Sequence, residues 1–231
     1  MNSGSTWHQF TTWFTTKGSW LGANGAAGVL HLLVQHIWIS ALSLAITCAI
    51  GIPLAAALTR WRGGGLVVTS VANAARSIPI VGVLLLLAVG PIGIGTKPAV
   101  IALVIFALPP ILTNTYTGIT GVDTETTRAA TGMGMTRLQV LLRVELPLAI
   151  PLIATGLRLA TVQIWATATI AAIIGSGGLG QLITVGYATQ YYGEVYGGVV
   201  VIAVTAIALD TVMQRAQRVV RRRYGAAAAI G

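Results

Sequence analysis

From Val29 to Leu58 the chain carries no Asp, Glu, Lys or Arg, and this run alone restricts the fold more than any other feature. A helix needs about 20 consecutive apolar residues to cross the hydrocarbon core of a bilayer. Apolar runs with at most one charged residue each follow at about Leu66 to Val89, which Asn73, Arg76 and Pro79 interrupt, and at Ala99 to Ile119, Leu146 to Ile174 and Tyr196 to Met213. Only 8% of the residues are charged, against about 25% in a soluble domain, too few to cover a solvated surface. A transmembrane barrel would alternate apolar and polar residues, whereas these runs are continuously apolar. The expected class is all-α, a polytopic membrane protein of about five spans.

The arginines set the orientation. Arg60 and Arg62 follow the first run, Arg128, Arg137 and Arg143 follow the third, and Arg215, Arg218, Arg221, Arg222 and Arg223 follow the fifth. With five alternating spans all of these fall on one side, leaving Lys17, Lys97 and Glu194 on the other. The positive-inside rule then puts the N-terminus outside and the C-terminus in the cytoplasm. The net charge of +9 is therefore charge at span ends, and no basic face with interleaved aromatics suggests nucleic acid. The stretch from Val219 to Arg223 reads as a stop-transfer anchor or a lipid-binding switch, and Ala226 to Ile230 reads as disordered.

Other features narrow the chemistry. Cys48 is the only cysteine, so no internal disulfide exists and a small buried hydrophobe is expected. Residues Met1 to Trp20 lack the charged start and apolar core of a signal peptide. No internal repeat points to a duplicated secondary transporter. His31 and His36 lack a third ligand nearby, so no metal site is expected. The five acids and three histidines form no catalytic cluster. Trp7, Trp13 and Trp20 fit an outer interfacial belt. Tyr187, Tyr191, Tyr192 and Tyr196 fall in an outer loop, at headgroup level or against a partner.

Between the third and fourth runs, Asp123 to Glu145 mixes charges with a helical pattern of Leu138, Leu141, Leu142 and Leu146. Gly132 and Gly134 divide it into two short helices. A polar insert of this size usually has a function, and two helices on the cytoplasmic face suit docking into a groove of a soluble partner. Within the membrane, Asn73 and Arg76 lie beside Pro79. Span two then either lines a passage near Ser77, Ile78 and Pro79 or carries an ordinary packing kink. Pro109-Pro110 is expected to break span three. Arg158 and Asp210 form a possible ion pair between spans four and five, with snorkelling to the interface as the alternative.

Arg128-Ala129-Ala130, then Gly134, then Glu145-Leu146-Pro147 resemble the EAA loop of ABC importer permeases. That loop has Glu-Ala-Ala, a Gly four residues later and a Leu-Pro pair thirteen beyond the Gly. Arg128 stands where the family usually has Glu. It either meets an acidic group on the partner or is an arginine of the positive-inside side. The run Ile174 to Gly180, with Gly175, Gly177, Gly178 and Gly180, is similar to the glycine turn of type I permeases. Ile92 to Ala99, Asn114 to Gly118 and Ser77-Ile78-Pro79 extend the likeness to the osmoprotectant branch, which imports glycine betaine, choline and carnitine. The likeness runs from about His31 to Met213.

The resemblance implies a type I ABC importer permease fold. Residues 1–28 would be an external segment, 29–213 the transmembrane domain with a coupling loop at about 120–147, and 214–231 a cytoplasmic basic tail. It assigns Arg128, Ala129, Ala130, Gly134, Leu138, Leu142 and Pro147 to coupling with ATP-binding subunits. Those subunits would hold ATP and Mg, since the chain has no Gly-Lys-Ser/Thr phosphate loop and needs no cofactor of its own. An extracytoplasmic solute-binding protein and a second permease copy or similar subunit complete the expected assembly in the bacterial inner membrane. Alternatives are a permease for another small solute, such as an amino acid, and a stand-alone secondary transporter.

Overall fold

The computed structural model describes residues 6–22 and 27–224, with the backbone alone of Arg76. The expected disordered stretch Ala226 to Ile230 lies outside the described residues. Those described form helices and no strand. They are α1 (Thr6–Thr15), α2 (Lys17–Leu21), α3 (Val29–Leu58), α4 (Gly64–Ser77), α5 (Ile80–Val89), α6 (Thr96–Thr120), α7 (Thr124–Gly132), α8 (Arg137–Val140), α9 (Leu146–Ala171), α10 (Gly180–Ala188) and α11 (Tyr192–Tyr224). Four helical stretches are long and apolar enough to cross a membrane: Val29–Leu58, Thr96–Thr120, Arg137–Ile174 and Tyr192–Tyr224. Counting α4 and α5 as one broken span makes five.

The chain forms two compact units. The first draws on Met1–Leu44, Pro79–Val104 and Gln163–Leu209, and the second on Ala45–Ile78, Ile105–Val162 and Asp210–Gly231. In the first, Trp13, Val29, Leu32, Trp165, Leu179 and Val201 share one core, and Leu84 packs with Ala99, Ala102 and Ala171 in another. In the second, Ala55 packs with Val68 and Leu112, and Ala56 with Ile119 and Ala149. Alanines at these contacts let backbones approach closely, as van der Waals packing of membrane helices requires.

Several elements differ from the sequence expectation. Trp13 is a core residue of the first unit and no part of an interfacial belt, although Trp7 is exposed. Asn73 and Arg76 lie within α4 without interrupting it. The interruption comes at Ile78, whose ψ of 125° is extended, as the ring of a following proline demands. Pro109 and Pro110 sit inside an unbroken α6. Prolines survive in spanning helices where neighbouring groups restore the contacts they remove. Asn114 Nδ2 adds a bond to the Pro110 carbonyl at 2.8 Å, which is not one of the acceptors the prolines deprive of a donor, and α9 lies against the same turn at Gly156. The second helix of the polar insert is not separate: α8 continues through a π-helical turn, Leu141–Glu145, into α9.

Gly156 makes the α6–α9 contact possible, since a Cβ there would stand 2.8 Å from the Pro110 carbonyl oxygen and 2.9 Å from Asn114 Cβ. Overpacking a fitted contact costs about 1–3 kcal/mol. Gly156→Val is therefore expected to lower the thermal midpoint of the purified protein in detergent by several degrees. An unchanged midpoint would contradict the close approach.

Candidate functional site

The polar insert after α6 is a capped helix, a tight reversal and a second capped helix. At the start of α7 the Asp123 carboxylate accepts from the Glu125 N–H at 3.3 Å, satisfying a donor that the first helical turn leaves free. At the end of α7, the Gly134 N–H donates to the Thr131 carbonyl at 3.0 Å and the Met135 N–H to the Ala130 carbonyl at 3.2 Å. These two bonds form a Schellman cap, which needs a left-handed residue, and Gly134 supplies it with φ +87°. The spacing from Ala130 to Gly134 is thus a backbone requirement. Thr136 then caps α8 in a reciprocal box with Gln139, the Thr136 N–H donating to Gln139 Oε1 at 2.8 Å and the Gln139 N–H to Thr136 Oγ1 at 3.3 Å.

The π turn aims a carboxylate. Pro147 offers no N–H to the ladder, and the Leu146 N–H reaches back to the Leu141 carbonyl, an i→i−5 bond of the kind found at functional sites. Glu145, at the end of this turn, is only 7% exposed, and its Oε2 accepts from Arg60 Nη2. Neither the motif nor the positive-inside rule pointed to this pair, because its members are distant in sequence and belong to different patterns.

Arg60 and Glu145 line an open groove of about 830 Å³, together with Thr127, Arg128, Thr131, Arg137, Leu138 and Leu141. Ala130 is buried against this element, whereas Arg128 and Ala129 are exposed. Leu138 in this lining is 63% exposed, and Met133 and Leu142, next in sequence to the lining residues Gly132 and Leu141, are 74% and 54% exposed. Pro147, half-buried, begins the spanning part of α9.

At the break between α4 and α5, Asn73, Ser77, Ile78 and Pro79 are all exposed. Ser77 Oγ donates to the Asn73 carbonyl at 3.1 Å, so its hydroxyl is satisfied within its own helix.

The glycine turn after α9 is clasped by α3. Gly175, Gly177 and Gly178 have φ of +74°, +80° and +78°, a run of left-handed backbone open only to glycine at low cost. The Gly178 N–H donates to Gln35 Oε1 at 3.1 Å, and the Leu179 N–H to His36 Nδ1 at 3.3 Å. Since Nδ1 accepts, the imidazole proton is on Nε2, which donates to the Trp165 carbonyl at 3.1 Å. His36 is fully buried and edge-on to the Trp165 ring. Its two nitrogens are occupied, and no group of three metal-binding side chains occurs among the described residues. Gly180 lies at the start of α10.

Arg158 and Asp210 are brought together. Arg158 Nε donates to Asp210 Oδ1 at 2.8 Å and Nη2 to Oδ2 at 3.2 Å. Gln214 Nε2 also donates to Oδ2 at 2.7 Å, and Gln217 Nε2 donates to Thr155 Oγ1 at 2.7 Å. A carboxylate with three donors is matched for an apolar setting, where an unpaired charge is costly.

Comparison with known proteins places this architecture. The profile of the family described as "Binding-protein-dependent transport system inner membrane component" matches residues 49–226. The chain is 35% identical over 200 residues to a glycine betaine/carnitine/choline transport system permease protein of Bacillus subtilis, covering 87% of this chain and 91% of that one. It is 36% identical to a carnitine transport permease protein of Listeria monocytogenes, covering 78% and 84%. With an osmoprotectant import permease protein of Salmonella typhimurium it shares 34%, over 84% and 92%. The methionine transporter MetNI, in an inward-facing crystal form, has a similar fold at TM-score 0.71 and 22% identity, covering 83% of this chain and 95% of that one. With four or five apolar helices, an unbroken family match and osmoprotectant permeases as relatives, the chain belongs to the family of inner-membrane permease components of binding-protein-dependent transport systems.

Proposed function

We propose that this chain is the pore subunit of an ATP-driven importer of small quaternary-ammonium solutes such as glycine betaine, choline or carnitine. The observation that carries the ATP-driven reading is the α7–α8 element: a rigidly capped reversal presenting Met133, Leu138 and Leu142 to the outside among Thr and Arg residues too polar for lipid. Exposed apolar side chains rimmed by polar ones mark a protein-binding face. The occupant is an ATP-binding subunit carrying ATP and Mg, and the solute comes from an extracytoplasmic binding protein. Two permease subunits, identical or similar, enclose the path. The names of the relatives support the solute class, and the arginine distribution supports an N-terminus outside and a C-terminus inside.

Within this reading the Arg60–Glu145 pair is a transmission link. Movement of α7 and α8 reaches the end of α3 through a charge contact, exposed at Arg60 and buried at Glu145, set on a π turn. The α4–α5 break at Ile78 and Pro79, with exposed Asn73 and Ser77, contributes to the path. A stand-alone ion-coupled carrier finds less support, because Asp210, the carboxylate available for ion coupling, is engaged by Arg158 and Gln214.

Deleting the gene is expected to abolish high-affinity, vanadate-sensitive uptake of one or more of labelled glycine betaine, choline and carnitine, with the chain restoring it in trans. Uptake unchanged for all three, in a strain lacking other carriers, would overturn the solute class. Glu145→Gln keeps an acceptor for Arg60 but removes the negative charge that strengthens the bond. It is expected to leave the ATP-binding subunit attached while lowering solute uptake per ATP hydrolysed at least several-fold. Unaltered coupling would remove the link from the mechanism.

A further inference from the structure

The groove beside α7 has an unusual charge balance. Three guanidinium groups line it, those of Arg60, Arg128 and Arg137, with Glu145 as the one acid. Glu145 is taken by Arg60. Arg128 and Arg137 are exposed and form no ion pair among the described residues; Glu125, three positions before Arg128 on the same helix, does not pair with it. Two cations thus face one open concavity, flanked by the exposed side chains of Met133 and Leu138.

The chain cannot readily neutralise these arginines from its own stock. It has five acidic residues. Asp123 caps α7, Glu145 holds Arg60 and Asp210 holds Arg158. Glu125 and Glu194 are all that a second copy of the chain would offer. Carboxylates to match them would come from a different polypeptide, and the exposed Met133 and Leu138 point to one that buries apolar side chains.

We propose that the groove receives acidic side chains of the ATP-binding subunit, so that this docking contact runs from arginines on the permease to carboxylates on the ATPase. The proposal rests on the docking reading above and gives it a polarity: the residue at the first position of the Arg128-Ala129-Ala130 motif is a cation, and its partner surface is acidic to match. Guanidinium groups take carboxylates in bidentate geometry. Complementary charge of this kind fixes the partner and speeds encounter, while the apolar rim supplies buried area. An ATPase built for a glutamate at this position would meet Arg128 and Arg137 with like charge and be rejected.

The test uses the full permease co-expressed with its cognate ATP-binding subunit, reading how much ATPase is retained on the affinity-purified permease. Arg128→Glu with Arg137→Glu is expected to cut retention at least tenfold. Retention by the unaltered permease should fall as salt rises, and acid-to-Lys changes in the ATPase docking groove should restore binding to the double variant. Gly134→Val serves as the control for docking itself, since a β-branched residue is strained at φ +87°. If Gly134→Val releases the ATPase while the double variant keeps it in full, docking stands and the acidic partner surface is refuted. If both variants keep the ATPase, the docking reading fails and the proposal with it. A loss in the double variant that anionic-lipid vesicles reverse, and ATPase changes do not, would also overturn it.

Discussion

A spanning helix has no water to satisfy a broken backbone ladder, so every interruption within the apolar depth must bring its own donors and acceptors. This requirement explains where the chain spends its polar side chains. Gln35 and His36 leave the α3 face to meet the left-handed glycines after α9. Outside the apolar depth, Asp123, Thr136 and Gln139 cap the helices around the polar reversal. Polar residues that look like functional candidates in an apolar sequence are in these places backbone substitutes. Removing one leaves an orphaned peptide group, which is why His36 is better understood as a clasp than as a ligand.

Charge follows the same logic. Each of the two ion pairs among the described residues ties separate elements together: Arg60, just after α3, to Glu145 before α9, and Arg158 on α9 to Asp210 on α11. Both lie in the second unit, which also holds α7 and α8. The element proposed to receive force from the ATPase therefore belongs to the part of the molecule whose helices are cross-linked by charge. The first unit holds together differently, through buried aromatics and aliphatics around Trp13, Trp165 and Leu179.

The fold was largely legible because the apolar runs are long and the arginines fall after alternate ones. The span count and the polar insert follow from these features alone. Failures came where one residue was read by its usual local effect. Pro109-Pro110 reads as a break, yet α6 runs through it unbroken, packed against α9 at Gly156. Trp13 reads as a belt residue, yet α1 folds it into a core. The short apolar stretch Gly180–Ala188 is too brief for periodicity to declare a helix. Of the site, Gly134 was visible from motif spacing, and the structure adds the reason, a Schellman cap. The Arg60–Glu145 pair was invisible, because no local pattern links two residues so far apart in sequence.

The central claim, that α8 and its exposed leucines receive an ATP-binding subunit, is most directly tested by proximity. With Cys48 replaced by Ser, a single cysteine at position 138 carrying a short photocrosslinker would be irradiated in native membranes. The account predicts a covalent adduct between the permease and its ATP-binding subunit, and no such adduct from a cysteine at the exposed Tyr187 position. No adduct from position 138, or one from 187 instead, would contradict it.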